Sequence, residues 1–64
     1  STLEIYSQSK NNVIENSKNL KKIIYDKEDG YIYFMNFEKE EDLVSFKSDI
    51  ENDNEIKRIE TNVV

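Results

Sequence analysis

The stretch KKIIYDKEDGYIYFMNF, residues 21–37, decides the fold. Two runs rich in β-branched and aromatic residues flank Asp29-Gly30, and Gly30 is the only glycine in the chain. This pattern predicts a β-hairpin, because glycine adopts the positive φ that a tight strand reversal requires. A type I turn over Glu28-Asp29 followed by Gly30 would set Lys27 opposite Tyr31, Tyr25 opposite Tyr33, Ile24 opposite Phe34 and Ile23 opposite Met35. Alternate side chains along a strand point to opposite faces. One face therefore carries Ile24, Ile32 and Phe34; the other carries Ile23, Tyr25, Tyr31, Tyr33, Met35 and Phe37.

Working outward, Leu3 and Ile5 alternate with Glu4 and Tyr6 as in a half-buried strand. Residues 8–19 are polar and asparagine-rich, so a short helix capped by Ser9 or Asn11 competes there with a loop. After the hairpin, residues 38–52 read as a helix with Leu43, Phe46 and Ile50 on one face and Asn36 as its cap. Residues 55–64 read as a last strand, with Ile59, Thr61 and Val63 on one face and Ile56 out of phase. The fold class is α+β, an antiparallel sheet with helix or helices on one face. The firm part is a ββαβ core; the full reading is βαββαβ, a reduced ferredoxin-like sandwich.

At 64 residues the chain makes one domain. Such a domain buries only about 60% of the surface its unfolded form exposes. It has neither cysteine nor histidine, which removes disulfides, thiolate and imidazole metal ligands, and His- or Cys-based catalysis. An unstapled domain of this size fits a reducing, cytoplasmic setting. The sequence has no secretory-signal pattern and no apolar run near the roughly 20 residues of a membrane span. Ser1 is compatible with removal of an initiator methionine. The net charge of -5 disfavours direct nucleic-acid binding, since phosphate contacts need a basic face. It favours a protein partner with a basic surface.

Leu43, Phe46 and Ile50 can cover only one sheet face. The expected covered face is that of Ile24, Ile32 and Phe34, joined by Leu3, Ile5 and Ile59. Tyr6 then joins Tyr25, Tyr31 and Tyr33, all four tyrosines of the chain, on the open side. An aromatic patch of this kind serves a homodimer, a foreign partner or only half-wetted packing.

Glu38, Glu40, Glu41 and Asp42 crowd the start of the helix, and Asp49, Glu51, Asp53 and Glu55 follow. Dipole matching and solvation explain acids there; the sharper reading is that Glu40, Glu41 and Asp42 imitate phosphates in the groove of a nucleic-acid enzyme. Asp49, Glu51, Asp53, Glu55 and Glu60 also fall at the spacing of a calcium loop. However, Asn54 stands where that loop turns on glycine, Lys57 occupies a ligating position, and no exit helix can follow. No metal and no cofactor are expected. Ser9-Lys10, Ser17-Lys18 and Ser48 have no base or oxyanion hole in the sequence, and one glycine cannot build a phosphate-cradling loop. Catalytic residues are therefore expected to be absent.

Residues 23–34, then Glu41-Asp42-Leu43-Val44-Ser45-Phe46 and Glu55-Ile56-Lys57-Arg58-Ile59, resemble the small uracil-DNA glycosylase inhibitors of some Bacillus phages. The layout is also similar to that of small RNA-polymerase inhibitors of some coliphages. The resemblance implies a DNA-mimicking inhibitor of a host enzyme whose helix presents an acid and an apolar side chain. Asp42 would take the place of that family's helix aspartate, while Leu43 and Val44 replace an aromatic and an acid. The expected contacts are Glu40, Glu41, Asp42, Tyr31, Tyr33 and Tyr25, in a non-enzymatic binding module that forms a homodimer. The rival expectation is a structural or regulatory ferredoxin-like domain that self-associates, or joins a larger complex, through its open sheet face.

Overall fold

In the computed structural model, which describes residues 1–64, the chain forms β1 (Thr2–Ser7), α1 (Asn12–Glu15), β2 (Leu20–Asp26), β3 (Gly30–Asn36), α2 (Glu40–Ile50) and β4 (Ile56–Asn62). The class is α+β, and both helices are present. The strands lie in the order β2-β3-β1-β4, every neighbouring pair antiparallel. Two split βαβ units thus interlock as in a ferredoxin-like sandwich, with the first helix reduced to about one turn. No helix is long and apolar enough to cross a membrane.

The hairpin turns where the glycine stands, but its register differs from the expected one. Tyr25 pairs with Tyr31, Ile24 with Ile32 and Ile23 with Tyr33. The three-residue loop lies one position earlier than expected, over residues 27–29, where Asp26 Oδ1 accepts the backbone N–H groups of Glu28 (2.7 Å) and Asp29 (3.1 Å). Gly30 takes φ +78°. The membership of each strand face is unchanged by the shift, because pairs slide in steps of two.

Which face the helices cover is the reverse of the expectation. β1 pairs with β3 so that Leu3 meets Met35 and Ile5 meets Tyr33. Leu3 and Ile5 therefore share the face of Tyr33, Met35 and Phe37. There they meet Ile14 of α1 and Leu43 and Ile50 of α2 in one buried cluster. Leu20, Tyr31, Phe46, Ile56 and Ile59 pack around it, half-buried, and Phe37 and Phe46 approach to 5.7 Å between ring centroids. Ile24, Ile32 and Phe34 face away from both helices. The covered face is the richer of the two in apolar bulk, so packing the helices there removes more surface from water.

A bulge accounts for Ile56, which is out of phase in the sequence. Between Tyr6 and Ser7 the register of β1 against β4 slips, so that Tyr6 pairs with Arg58 while Ser7 pairs with Ile56. Ile56 and Ile59 thereby reach the same core. The displaced residue, Lys57, extends Nζ to the carbonyl oxygens of Glu28 (3.3 Å) and Asp29 (3.2 Å), tying β4 to the hairpin loop.

Helix limits follow local chemistry. In α1, Asn11 caps with its side-chain oxygen on the Ile14 N–H at 2.9 Å, but asparagine and serine close the helix almost at once. Asn36 does not cap α2. It remains in β3, paired with Thr2, and Lys39 takes the cap position without a side-chain hydrogen bond.

Gly30 is required sterically as well as by its dihedral angle. A Cβ there would collide with the backbone carbonyl oxygen of Ser7. Gly30→Ala should lower stability by about 1–3 kcal/mol. Urea denaturation should show this as a lower midpoint with an unchanged slope.

Candidate functional site

The four tyrosines do not share a surface. Tyr33 is fully buried beneath α1. Its hydroxyl accepts the Asn11 N–H at 3.0 Å and donates to Glu15 Oε2 at 2.6 Å. Tyr31 is half-buried and stacks on Tyr33 at 6.3 Å. Tyr25 is 64% exposed and leans on Tyr31 at 5.0 Å. Tyr6 lies on the opposite face of the sheet. Of the three tyrosines expected as contacts, Tyr33 is a core residue, Tyr31 its flank, and only Tyr25 stands free.

Glu40, Glu41 and Asp42 are all exposed. They leave the sheet at the Asn36 end of β3, however, while Tyr25 and Tyr31 sit at the hairpin end. The topology thus separates the acidic turn from the aromatic one. The outer face of α2 is a shallow polar surface lined by Lys39, Glu40, Glu41, Val44 and Asp49. Its acids are not neutralised within the chain, whose one salt bridge joins Arg58 to Glu60 at 3.1 Å. No group of three or more acidic side chains is placed to hold a cation.

The feature that sequence reasoning missed is β2 itself. As an edge strand it leaves one row of backbone groups unpaired by any other strand. Three successive apolar side chains on it, Ile23, Ile24 and Tyr25, are 45%, 36% and 64% exposed. They are exposed on two faces for two different reasons. Ile23 and Tyr25 lie on the helix side, where the one turn of α1 ends too soon to cover them, and Val13 on α1 is bare as well. Ile24 lies on the uncovered side, beside Ile32 of β3, which in turn pairs with Tyr6 of β1.

That uncovered side has a cation over each aromatic ring. Lys22 Nζ lies 5.7 Å from the Phe34 ring centre, and the Arg58 guanidinium lies 3.9 Å from that of Tyr6. Each such contact is worth about 0.5–1 kcal/mol at an exposed site. The Tyr6 hydroxyl donates to Glu4 at 3.2 Å. The two rings are therefore already engaged, and the cleanest apolar surface lies toward β2. The signal for this was present in the sequence: an apolar run without alternation, preceded by a segment too rich in asparagine to hold a long helix.

Burial and the hydrogen bond to Glu15 push the Tyr33 phenol up to about 12, against a counter-effect from the Asn11 N–H. The folded chain therefore holds this proton more tightly than the unfolded chain does. The associated stability is complete below pH 10.0 and is lost as pH rises toward about 12. It amounts to on the order of 2–3 kcal/mol. Tyr33→Phe should cost about 1–2 kcal/mol at neutral pH, through the two orphaned partners. It should also flatten the alkaline loss, as read from urea midpoints on either side of that window. No protein-family model, curated protein or solved structure matches this chain.

Proposed function

We propose that this chain is a non-enzymatic protein-binding module whose docking element is β2, with the apolar rows on either side of it. The exposure of Ile23, Ile24 and Tyr25 on an unpaired edge carries this reading. An edge strand of this kind adds a strand from another chain through main-chain hydrogen bonds, while side chains on its two faces supply specificity. The other edge, β4, is interrupted by a bulge at Lys57 and then carries Arg58 and Glu60, whereas β2 is irregular only at its start, between Leu20 and Lys22, and runs in unbroken register from Lys22 to Asp26. The chain's lack of cysteine suits a reducing compartment such as the cytoplasm.

A second reading rests on the unneutralised acids of α2. Glu40, Glu41 and Asp42 would meet the basic groove of a nucleic-acid-processing enzyme, in the manner of the phage inhibitors whose residue pattern this sequence resembles. The net charge of -5 and the freedom of these acids from ion pairs support it. Direct binding of single-stranded RNA to the open sheet is a weaker fit. Sheets that read RNA stack bases on free aromatic faces, whereas Lys22 and Arg58 cover Phe34 and Tyr6 here, with Glu4 and Glu60 beside them.

Two variants separate the readings. Ile24→Lys places a charge in the middle of the docking strand, and Glu40→Lys/Glu41→Lys reverses the acidic turn. Affinity capture with each should show a bound protein lost with Ile24→Lys and kept with the double variant if β2 is the contact. The opposite pattern would assign binding to α2. Melting temperatures should remain within a few degrees of the parent chain, because all three positions are exposed.

A further inference from the structure

Resting on the reading of β2 as the docking edge, we propose that its occupant is β2 of a second copy, paired antiparallel about a twofold axis that passes midway between the two copies of Ile24. The argument is one of self-complementarity. A twofold axis normal to the sheet sets residue i of one strand against residue 48 − i of its mate when it passes between the two copies of Ile24. Ile24 then meets Ile24, Ile23 meets Tyr25 on the helix side, and Lys22 meets Asp26 on the open side. Each apolar residue gains an apolar neighbour, and each of these charges gains its opposite, twice by symmetry.

Neighbouring registers do not do this. An axis between two copies of Ile23 sets Lys22 against Ile24 and Leu20 against Asp26, whereas one between two copies of Tyr25 sets Ile24 against Asp26 and Ile23 against Lys27. With the pairing centred on Ile24, the like charges of Lys21 and Lys27 fall outside the regular stretch of the joint, one at the irregular start of β2 and the other in the turn, where both side chains reach water.

The charged partners are also free to pair. Asp26 uses Oδ1 for the two turn amides and makes no hydrogen bond within the chain through Oδ2. Lys22 makes no ion pair within the chain and lies over Phe34, on the face where Asp26 would arrive. The joint would make one continuous eight-stranded sheet from the two four-stranded ones, with the short helix of each copy on the same side. Ile23 and Tyr25, left exposed by the brevity of α1, would each be flanked by the other residue of the mate.

Because the chain has no cysteine, single-cysteine variants report the register without background. Residues on the axis face their own copies within disulfide reach, whereas residues one position away do not. Under mild oxidation, Ile24→Cys should form a covalent dimer at least about tenfold faster than Ile23→Cys or Tyr25→Cys. In sedimentation equilibrium the parent chain should dimerise. Lys22→Glu should weaken that dimer by about tenfold or more, while its thermal melt at low concentration falls by only a few degrees, the cost of the lost contact with Phe34.

A parent chain that remains monomeric at its highest soluble concentration overturns the proposal, as does faster cross-linking at Ile23→Cys or Tyr25→Cys. The docking-edge reading fails separately. A monomeric chain that still binds a foreign protein, with binding lost in Ile24→Lys, refutes only the second copy. A monomeric chain whose capture is unaffected by Ile24→Lys refutes both.

Discussion

The pairing of Ile5 with Tyr33 across the two central strands governs the rest of this structure. It places the apolar residues of β1 on the same side as the bulkiest residues of β3 and so defines the core face. The Tyr33 hydroxyl then receives a backbone N–H from the start of α1 and donates to a carboxylate near its end. A single buried side chain thus fixes the sheet register and anchors the short helix. In a core of eight buried apolar residues there is little redundancy, so this one contact has influence out of proportion to its size.

The surface is a product of the same shortage. α1 is closed by asparagine and serine after about one turn, and on the helix side of β2 both Ile23 and Tyr25 stay exposed. The opposite face has no covering layer, and the chain screens it partly with Lys22 and Arg58 laid over aromatic rings. Long cationic side chains lying on rings keep apolar atoms from water without burying charge. The stretch from Ile23 to Tyr25 lacks such screening.

Much of the fold was legible in the sequence. The glycine marked the hairpin, alternation gave the membership of each strand face, and the spacing of Leu43, Phe46 and Ile50 gave α2. The sequence also admitted the full βαββαβ order. What it did not disclose was the side on which the helices settle, since both faces of β3 are apolar and alternation cannot rank them. Register escaped as well, because it depends on the Asp26 carboxylate bonding within its own turn, and so did the bulge that brings Ile56 into line. The candidate site suffered most from the first of these. Tyr33 was assigned to the surface and Ile24 to the interior, and the structure exchanges them. Glu40, Glu41, Asp42 and Tyr25 do lie on the outside, but at opposite ends of the molecule.

Ser1 and Val64 lie together, the Val64 N–H donating to the Ser1 hydroxyl at 3.3 Å. They sit at the corner where β1 begins and β4 ends, with β3 separating β1 from β2 and both β3 and β1 separating β4 from it. Any polypeptide attached at either terminus therefore departs from one shared corner and leaves the far margin of the sheet unobstructed. The same adjacency makes the backbone nearly circular. A short linker could join the old termini while new ones open at the hairpin tip, so that β2 becomes a terminal strand.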